Sequence, residues 1–128
     1  MYVQRLSAEK AAAAAAQTAP PAVILAADTT VICDGVILGK PASADEARAM
    51  LRTLRGRAHT VCTALTLAVL NNGSALHTTI TRTTCTEVHM RAYGDAEIDA
   101  YIATGDPFDK AGGYAIQHAG FDPVAHID

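Results

Sequence analysis

These 128 residues have no strong excess of either charge, no metal-binding spacing of cysteines and no long apolar run, and each absence excludes something. Charged residues make up 18% of the chain, and the formal net charge is −3 with no block of like charge. A non-specific grip on DNA or RNA needs a basic face and is therefore disfavoured. Binding of a single nucleotide takes only a few cations and is not excluded. Cys33, Cys62 and Cys85 are odd in number and far apart, and no C-x-x-C occurs. That argues against zinc and redox motifs and predicts buried thiols in strands. Ala11 to Ala16 is too short to span a membrane, and the order of a signal peptide is missing, so the cytoplasm is the expected compartment. Half the residues are hydrophobic and no internal repeat is present, which predicts one domain with a sizeable core.

What is present centres on Val23-Ile24-Leu25-Ala26-Ala27-Asp28-Thr29-Thr30. A short continuous apolar run behind Pro20-Pro21 reads as a strand buried on both faces, with Asp28 at its C-terminal end. Open α/β sheets place ligand sites at that edge. A carboxylate there stays ionised only where solvent, a metal or cations reach it. Val31–Cys33 and Val36–Leu38 flank Asp34-Gly35, a strong hairpin signal of type I′. This hairpin is expected to return Lys40, in Gly39-Lys40-Pro41, toward Asp28.

Before this stretch, Tyr2 to Gln17 reads as an alanine-rich helix with Tyr2, Leu6 and Lys10 on one face beside Ala13. Periodicity alone favours a Lys10 that snorkels off a short stripe over one aimed into a cleft. After it, Ser43 to Leu54 is a helix with a Ser43/Glu46 capping box, a Gly56 stop and a stripe of Ala47, Met50, Leu51 and Leu54. Arg48, Arg52 and Arg55 read as a solvated face, whereas Arg57 lies beyond it. Two threonine-rich strands follow, Ala58 to Leu70 and Ser74 to Met90, joined by Asn71-Asn72-Gly73. Val61, Leu65, Leu67 and Val69 alternate on one side, with Leu76, Ile80 and Val88 answering from the partner. His59, His77 and His89 have no metal-ligand spacing and read as structural or exposed. Asp95 to Thr104 is a short helix capped by Asp95 and stopped by Gly105, with Ile98, Tyr101 and Ile102 inward. Gly112-Gly113 allows a close backbone approach. Gln117 at a strand end offers an amide that both donates and accepts. Val124 to Ile127 is one more strand. The alternation predicts an α/β domain with a mixed, twisted sheet flanked by helices.

Certain segments, in this order and at these separations, carry a resemblance. They are Tyr2-Val3-Gln4-Arg5-Leu6 with Lys10-Ala11; Ala27-Asp28-Thr29; Gly39-Lys40-Pro41; and Gly56-Arg57-Ala58-His59-Thr60-Val61. Tyr101-Ile102 with Thr104-Gly105, and Asp109-Lys110-Ala111-Gly112 followed by Tyr114 and Ile116-Gln117, complete the set. Together they resemble the Maf family of nucleoside triphosphate pyrophosphatases, related to the inosine triphosphatase fold. The resemblance implies that Asp28 is the catalytic proton acceptor and that Lys10 and Lys40 face the triphosphate. Thr29 and Gln117 match positions that set base preference, and here look like the branch acting on dTTP and UTP. The implied reaction splits the α–β anhydride to a nucleoside monophosphate and diphosphate. A divalent cation, Mg²⁺ or Mn²⁺, is expected to bridge the anionic substrate to acidic ligands, with Asp28 the candidate ligand. Asp28, Lys10, Lys40 and Gln117 are expected to border one cleft.

The resemblance has departures. The family's first strand, its serine-proline-arginine-arginine type loop and an upstream glutamate have no counterpart in the chain. Nor do its glycine-leucine-proline segment and last helix. Ala64 and His118 stand where glycine is usual. Residues 1–128 are therefore expected to be a single but incomplete domain, truncated at both ends, of low activity by itself and prone to self-association. The rival to a dTTP/UTP pyrophosphatase is a catalytically impaired, nucleotide-binding or dimer-forming fragment. A generic alternative is an unrelated α/β domain in which Asp28 and Lys40 form only a structural ion pair. Neither a nucleic-acid polymer nor a membrane is expected as partner, and a homodimer is compatible with the reading.

Overall fold

The computed structural model describes residues 1–72, 77–116 and 118–128. In chain order the elements are α1 (Tyr2–Ala15), β1 (Ala22–Cys33), β2 (Val36–Leu38), α2 (Ala44–Leu54), β3 (Ala58–Leu70), β4 (His77–Met90), α3 (Asp95–Ala103) and β5 (Val124–Ile127). A 3₁₀ turn at Asp106–Asp109 and another at Ala111–Gly113 follow α3. The five strands form one sheet in the order β2-β1-β3-β4-β5. β1 and β2 pair antiparallel, as do β4 and β5. The expected α/β sheet with helices is present. By packing, the chain divides into two compact units: Met1–Thr29 with Cys62–Cys85, and Thr30–Val61 with Thr86–Asp128.

In the first unit, α1 lies against the sheet through Val3, Ser7 and Ala11, at i, i+4 and i+8. The buried stripe is thus rotated one position from the expected Tyr2–Leu6–Lys10 face, and Tyr2 is exposed. Polarity explains the shift. The Ser7 hydroxyl pairs with the Thr66 hydroxyl at 2.8 Å and donates to the Gln4 carbonyl at 3.0 Å, so a serine is satisfied inside. Small residues on both partners, Ala11 against a strand bearing buried Ala64, Thr66 and Ala68, let helix and sheet approach. The inward side of β3 is accordingly Cys62, Ala64, Thr66, Ala68 and Leu70, while Leu65 and Leu67 face solvent. Leu76 lies outside the described residues.

The central stretch departs from its reading in two ways. β1 is not buried on both faces: Val23 and Leu25 are 68% and 67% exposed and alternate with half-buried Ile24 and Ala26. α1 covers one side only of this part of the sheet. Nor does the strand end at Asp28. Thr29, Thr30 and Val31 are β-branched and carry the extended backbone on to Cys33, which leaves Asp28 mid-strand. The cysteines also differ from expectation. Cys62 and Cys85 form a disulfide between β3 and β4, and only Cys33 is a free, buried thiol.

The second unit matches its reading closely. Asp34 and Gly35 both take positive φ, 52° and 76°, and Cys33 pairs with Val36, as a type I′ hairpin requires. Ser43 caps α2, its hydroxyl accepting from the Glu46 amide at 3.1 Å. Ala47, Leu51 and Leu54 pack against Ile98, Tyr101 and Ile102 of α3, with Val31, Val88, Met90, Tyr93 and Phe121 completing the core. Burial of each such leucine or isoleucine contributes about 1.5–3 kcal/mol. Tyr93 spends its polar end well, its hydroxyl donating to the Leu51 carbonyl at 2.6 Å, and burial raises its phenol pKa far above the ordinary value.

Two details differ. The N-cap of α3 is Gly94, whose amide donates to the Glu97 carboxylate. Asp95 instead sits in the first turn and receives Arg52 and Arg55. The α2 arginines are therefore not merely solvated: Arg48 pairs with Asp99 as well, and the set ties α2 to α3.

Candidate functional site

Asp28 and Lys10 meet in the first unit. The Lys10 ammonium donates to Asp28 Oδ1 at 2.6 Å and to the Ala27 carbonyl at 3.2 Å. The contact arises from two periodicities. Lys10 borders the buried α1 stripe one residue before Ala11, and Asp28 is on the side of β1 that also presents Ile24 and Ala26. The Asp28 side chain is 14% exposed while that of Lys10 is 56% exposed, so the carboxylate is recessed and the cation stands over it. The lysine does not simply snorkel into water. The cation on Asp28 is Lys10, and this pair is the nucleus of the candidate site.

Thr29, next along β1, projects from the opposite side of the strand, and its hydroxyl pairs with Thr63 at 2.9 Å. Among the described residues no donor is hydrogen-bonded to Asp28 Oδ2. A hard cation such as Mg²⁺ takes one or two carboxylates and completes its shell with phosphate and water. One carboxylate oxygen already engaged and one open suits that donor set, so Asp28 fits a single-carboxylate ligand of a phosphate-bound Mg²⁺ or Mn²⁺.

Lys40 lies in the second unit, exposed, in the loop after β2. That loop is anchored at Gly39, whose carbonyl accepts from the Gly112 amide at 3.1 Å. Gly112 has φ 73°, and a Cβ there would stand 3.0 Å from a methyl of Val31. Only glycine permits this approach. The expected close backbone contact at Gly112-Gly113 is thus with the protein's own loop. Gly112→Ala should lower unfolding free energy by about 2 kcal/mol, from left-handed strain and overpacking together. Urea denaturation measures it, and an unchanged midpoint would mean the loop yields freely.

The same segment holds a cation that the sequence reading did not single out. Lys110 donates to Asp109 at 2.6 Å. That bond holds the Asp109 carboxyl below its ordinary range, with a smaller contribution from the Lys40 charge, and raises the Lys110 ammonium. An acid–lysine pair directly before a small residue and two glycines was the available signal. Residues 114–116 form no strand, so Gln117 does not follow a strand as expected, and Gln117 itself lies outside the described residues. The side chain of His77 lies outside them too.

His59, read as structural, is buried and bonded through Nε2 to the Tyr114 hydroxyl at 2.6 Å. Burial, then the charge of His89, lowers its pKa. Its Nδ1 has no partner among the described residues, so a second proton there would be unsatisfied.

Comparison with known proteins places this geometry in context. The family described as Maf-like protein matches residues 1–128. A dTTP/UTP pyrophosphatase of Anaeromyxobacter dehalogenans is 50% identical over 119 residues, covering 93% of this chain and 58% of that protein. One of Thermomicrobium roseum is 55% identical over 98 residues, covering 77% of this chain and 42% of that protein. One of Chromobacterium violaceum is 45% identical over 131 residues, covering 99% and 63%. The chain thus spans less than two thirds of the length of each of these curated relatives.

Proposed function

The chain belongs to the Maf family, and from that premise we propose that it acts as a nucleoside triphosphate pyrophosphatase on dTTP and UTP. The observation that supports this reading most is the Lys10–Asp28 pair, a recessed carboxylate under an ammonium, at the two positions the family resemblance assigns to catalysis and phosphate binding. Relatives about half identical to the chain carry the name of that activity.

In this reading water attacks the α-phosphorus and Asp28 accepts its proton, while the α–β anhydride breaks and pyrophosphate leaves. Lys10 holds Oδ1, which fixes the carboxylate's orientation, and its remaining protons are available to phosphate oxygens. Lys10 would stabilise charge gathered on the leaving group, and the family resemblance assigns the same role to Lys40. A bound Mg²⁺ or Mn²⁺, held by Asp28, would neutralise phosphate charge. Base preference is assigned to Gln117, whose amide complements the acceptor and donor edge of thymine or uracil, and to Thr29 from the far side of β1. The cytoplasm is the proposed compartment; among the described residues no helix is long and apolar enough to cross a membrane. The reading is compatible with a homodimer and calls for neither nucleic-acid polymer nor membrane as partner.

A nucleotide panel with Mg²⁺, scored for pyrophosphate release, tests it on this chain and on an end-extended form. The expected result is turnover of dTTP and UTP well ahead of dATP and dGTP, with Gln117→Ala eroding the preference more than the rate on a poor substrate. Equal turnover of purines and pyrimidines would refute the assignment. Binding of dTTP without release by either form would favour the impaired fragment instead.

A further inference from the structure

A second cluster of ligand-type side chains occupies the β4–β5 edge, made of none of the residues assigned to the proposed reaction. His89 and His126 are directly paired across the two strands. Glu87 and Asp128 occupy the next pair on the same side, and the Asp128 amide donates to the Glu87 carbonyl at 2.9 Å. Two adjacent cross-strand pairs thus present two imidazoles and two carboxylates from one surface. The rings of His89 and His126 are stacked, with centroids 4.0 Å apart. His89 Nε2 lies 2.8 Å from Glu87 Oε1 and 2.9 Å from Asp128 Oδ2, and His126 Nε2 is 3.9 Å from that same Asp128 oxygen.

From this geometry we propose that His89, His126 and Asp128, with Glu87 beside them, form a binding site for a first-row transition-metal ion of the Zn²⁺ type. Three lines of physics support it. One ligand atom from each of the three residues lies within 4.8 Å of the others. Around a tetrahedral Zn²⁺ with bonds of about 2.0–2.1 Å, ligand atoms stand about 3.3 Å apart. The observed 2.9 and 3.9 Å to the Asp128 oxygen bracket that spacing, and with all three ligand atoms within 4.8 Å, adjustments of about 1–1.5 Å suffice. Charge comes next. Two carboxylates converge on one imidazole nitrogen, and a divalent cation bound there would balance the two acids. Preorganisation is the third. Backbone pairing fixes the Cα positions, while the His126 side chain, 59% exposed, is free to turn its ring toward the ion. Imidazole donors select Zn²⁺, Cu²⁺ or Ni²⁺ over Mg²⁺, so this site is chemically distinct from an all-oxygen phosphate site.

The test is calorimetric titration of the chelator-stripped chain with Zn²⁺, without nucleotide. The expected result is one Zn²⁺ per chain, unaffected by millimolar Mg²⁺ and by Asp28→Asn. His126→Ala and Asp128→Asn should each weaken it at least about tenfold, since loss of an outer-shell partner alone typically costs about 10–100-fold. Zn²⁺ should raise the melting temperature of the parent but not of either variant. Both substitutions are at exposed positions, and circular dichroism checks that the variants are folded. Absence of binding in the micromolar range, binding undiminished in both variants, or binding lost only in Asp28→Asn would overturn the proposal.

Discussion

If the proposed activity holds, Asp28→Asn in the end-extended form should lower kcat for dTTP hydrolysis by about a hundredfold or more, with a much smaller change in KM. The substitution keeps the side chain's size and leaves an amide oxygen where Oδ1 now receives the Lys10 ammonium. What it removes is the carboxylate that accepts a proton from attacking water, and a positioned base typically contributes about 10²–10⁴-fold. The open oxygen proposed to meet a divalent ion becomes an NH₂ group, which cannot ligate one. Lys10→Met gives the complementary result. It deletes the cation over Asp28 and should raise KM as well as lower kcat, because the proposed phosphate contact would be lost in the ground state too. Steady-state kinetics with dTTP and Mg²⁺ separate the two patterns. A rate for Asp28→Asn within a few-fold of the parent would remove Asp28 from the chemistry and leave its pairing with Lys10 as structural.

How far this pair could be read in advance shows what a sequence encodes locally. α2 was legible because every signal is within a turn of its residue: Ser43 three positions from Glu46, a stripe at helical spacing, Gly56 beyond the end. The β1–β2 hairpin was legible for the same reason, from Asp34-Gly35 alone. α1 was legible as a helix but not in orientation. Alanines give no contrast between faces, and the residue that decides the matter, Ser7, is a buried polar group whose partner is far along the chain at Thr66. The extent of β1 was hidden because Asp28 ends the apolar run without ending the strand. Lys10 facing Asp28 depends on which face α1 turns to the sheet, and the alanine-rich periodicity misplaced that face; only family resemblance suggested that both serve one substrate. The quartet at the β4–β5 edge was hidden most thoroughly. Its halves are remote in sequence, and strand register alone brings His89 to His126.

Register also hid the Cys62–Cys85 bond, and breaking it should be the largest stability change in the chain short of a core deletion. The two cysteines are 23 residues apart. Closing a loop of that length in the unfolded chain corresponds to about 3 kcal/mol in the chain-entropy account. The native state loses little on reduction, because β3 and β4 remain paired through neighbours such as Thr66 and Thr81, whose hydroxyls stand 2.9 Å apart. The effect should therefore come mainly from the unfolded ensemble. Urea denaturation with and without dithiothreitol measures it: the midpoint should fall on reduction while the circular dichroism of the folded state stays the same. Cys85→Ala supplies the control, since Cys85 is exposed and its loss disturbs little packing. This variant should match the reduced parent and no longer respond to dithiothreitol. A parent midpoint insensitive to reduction would show that the bond adds nothing to the pairing of the strands. The result also bears on the proposed compartment, because a reducing cytoplasm holds few structural disulfides. If the protein resides there, alkylation of fresh lysate before non-reducing mass spectrometry should find both thiols free, and the chain would then work at the lower of its two stabilities. A bond found intact under those conditions would argue against the cytoplasmic assignment.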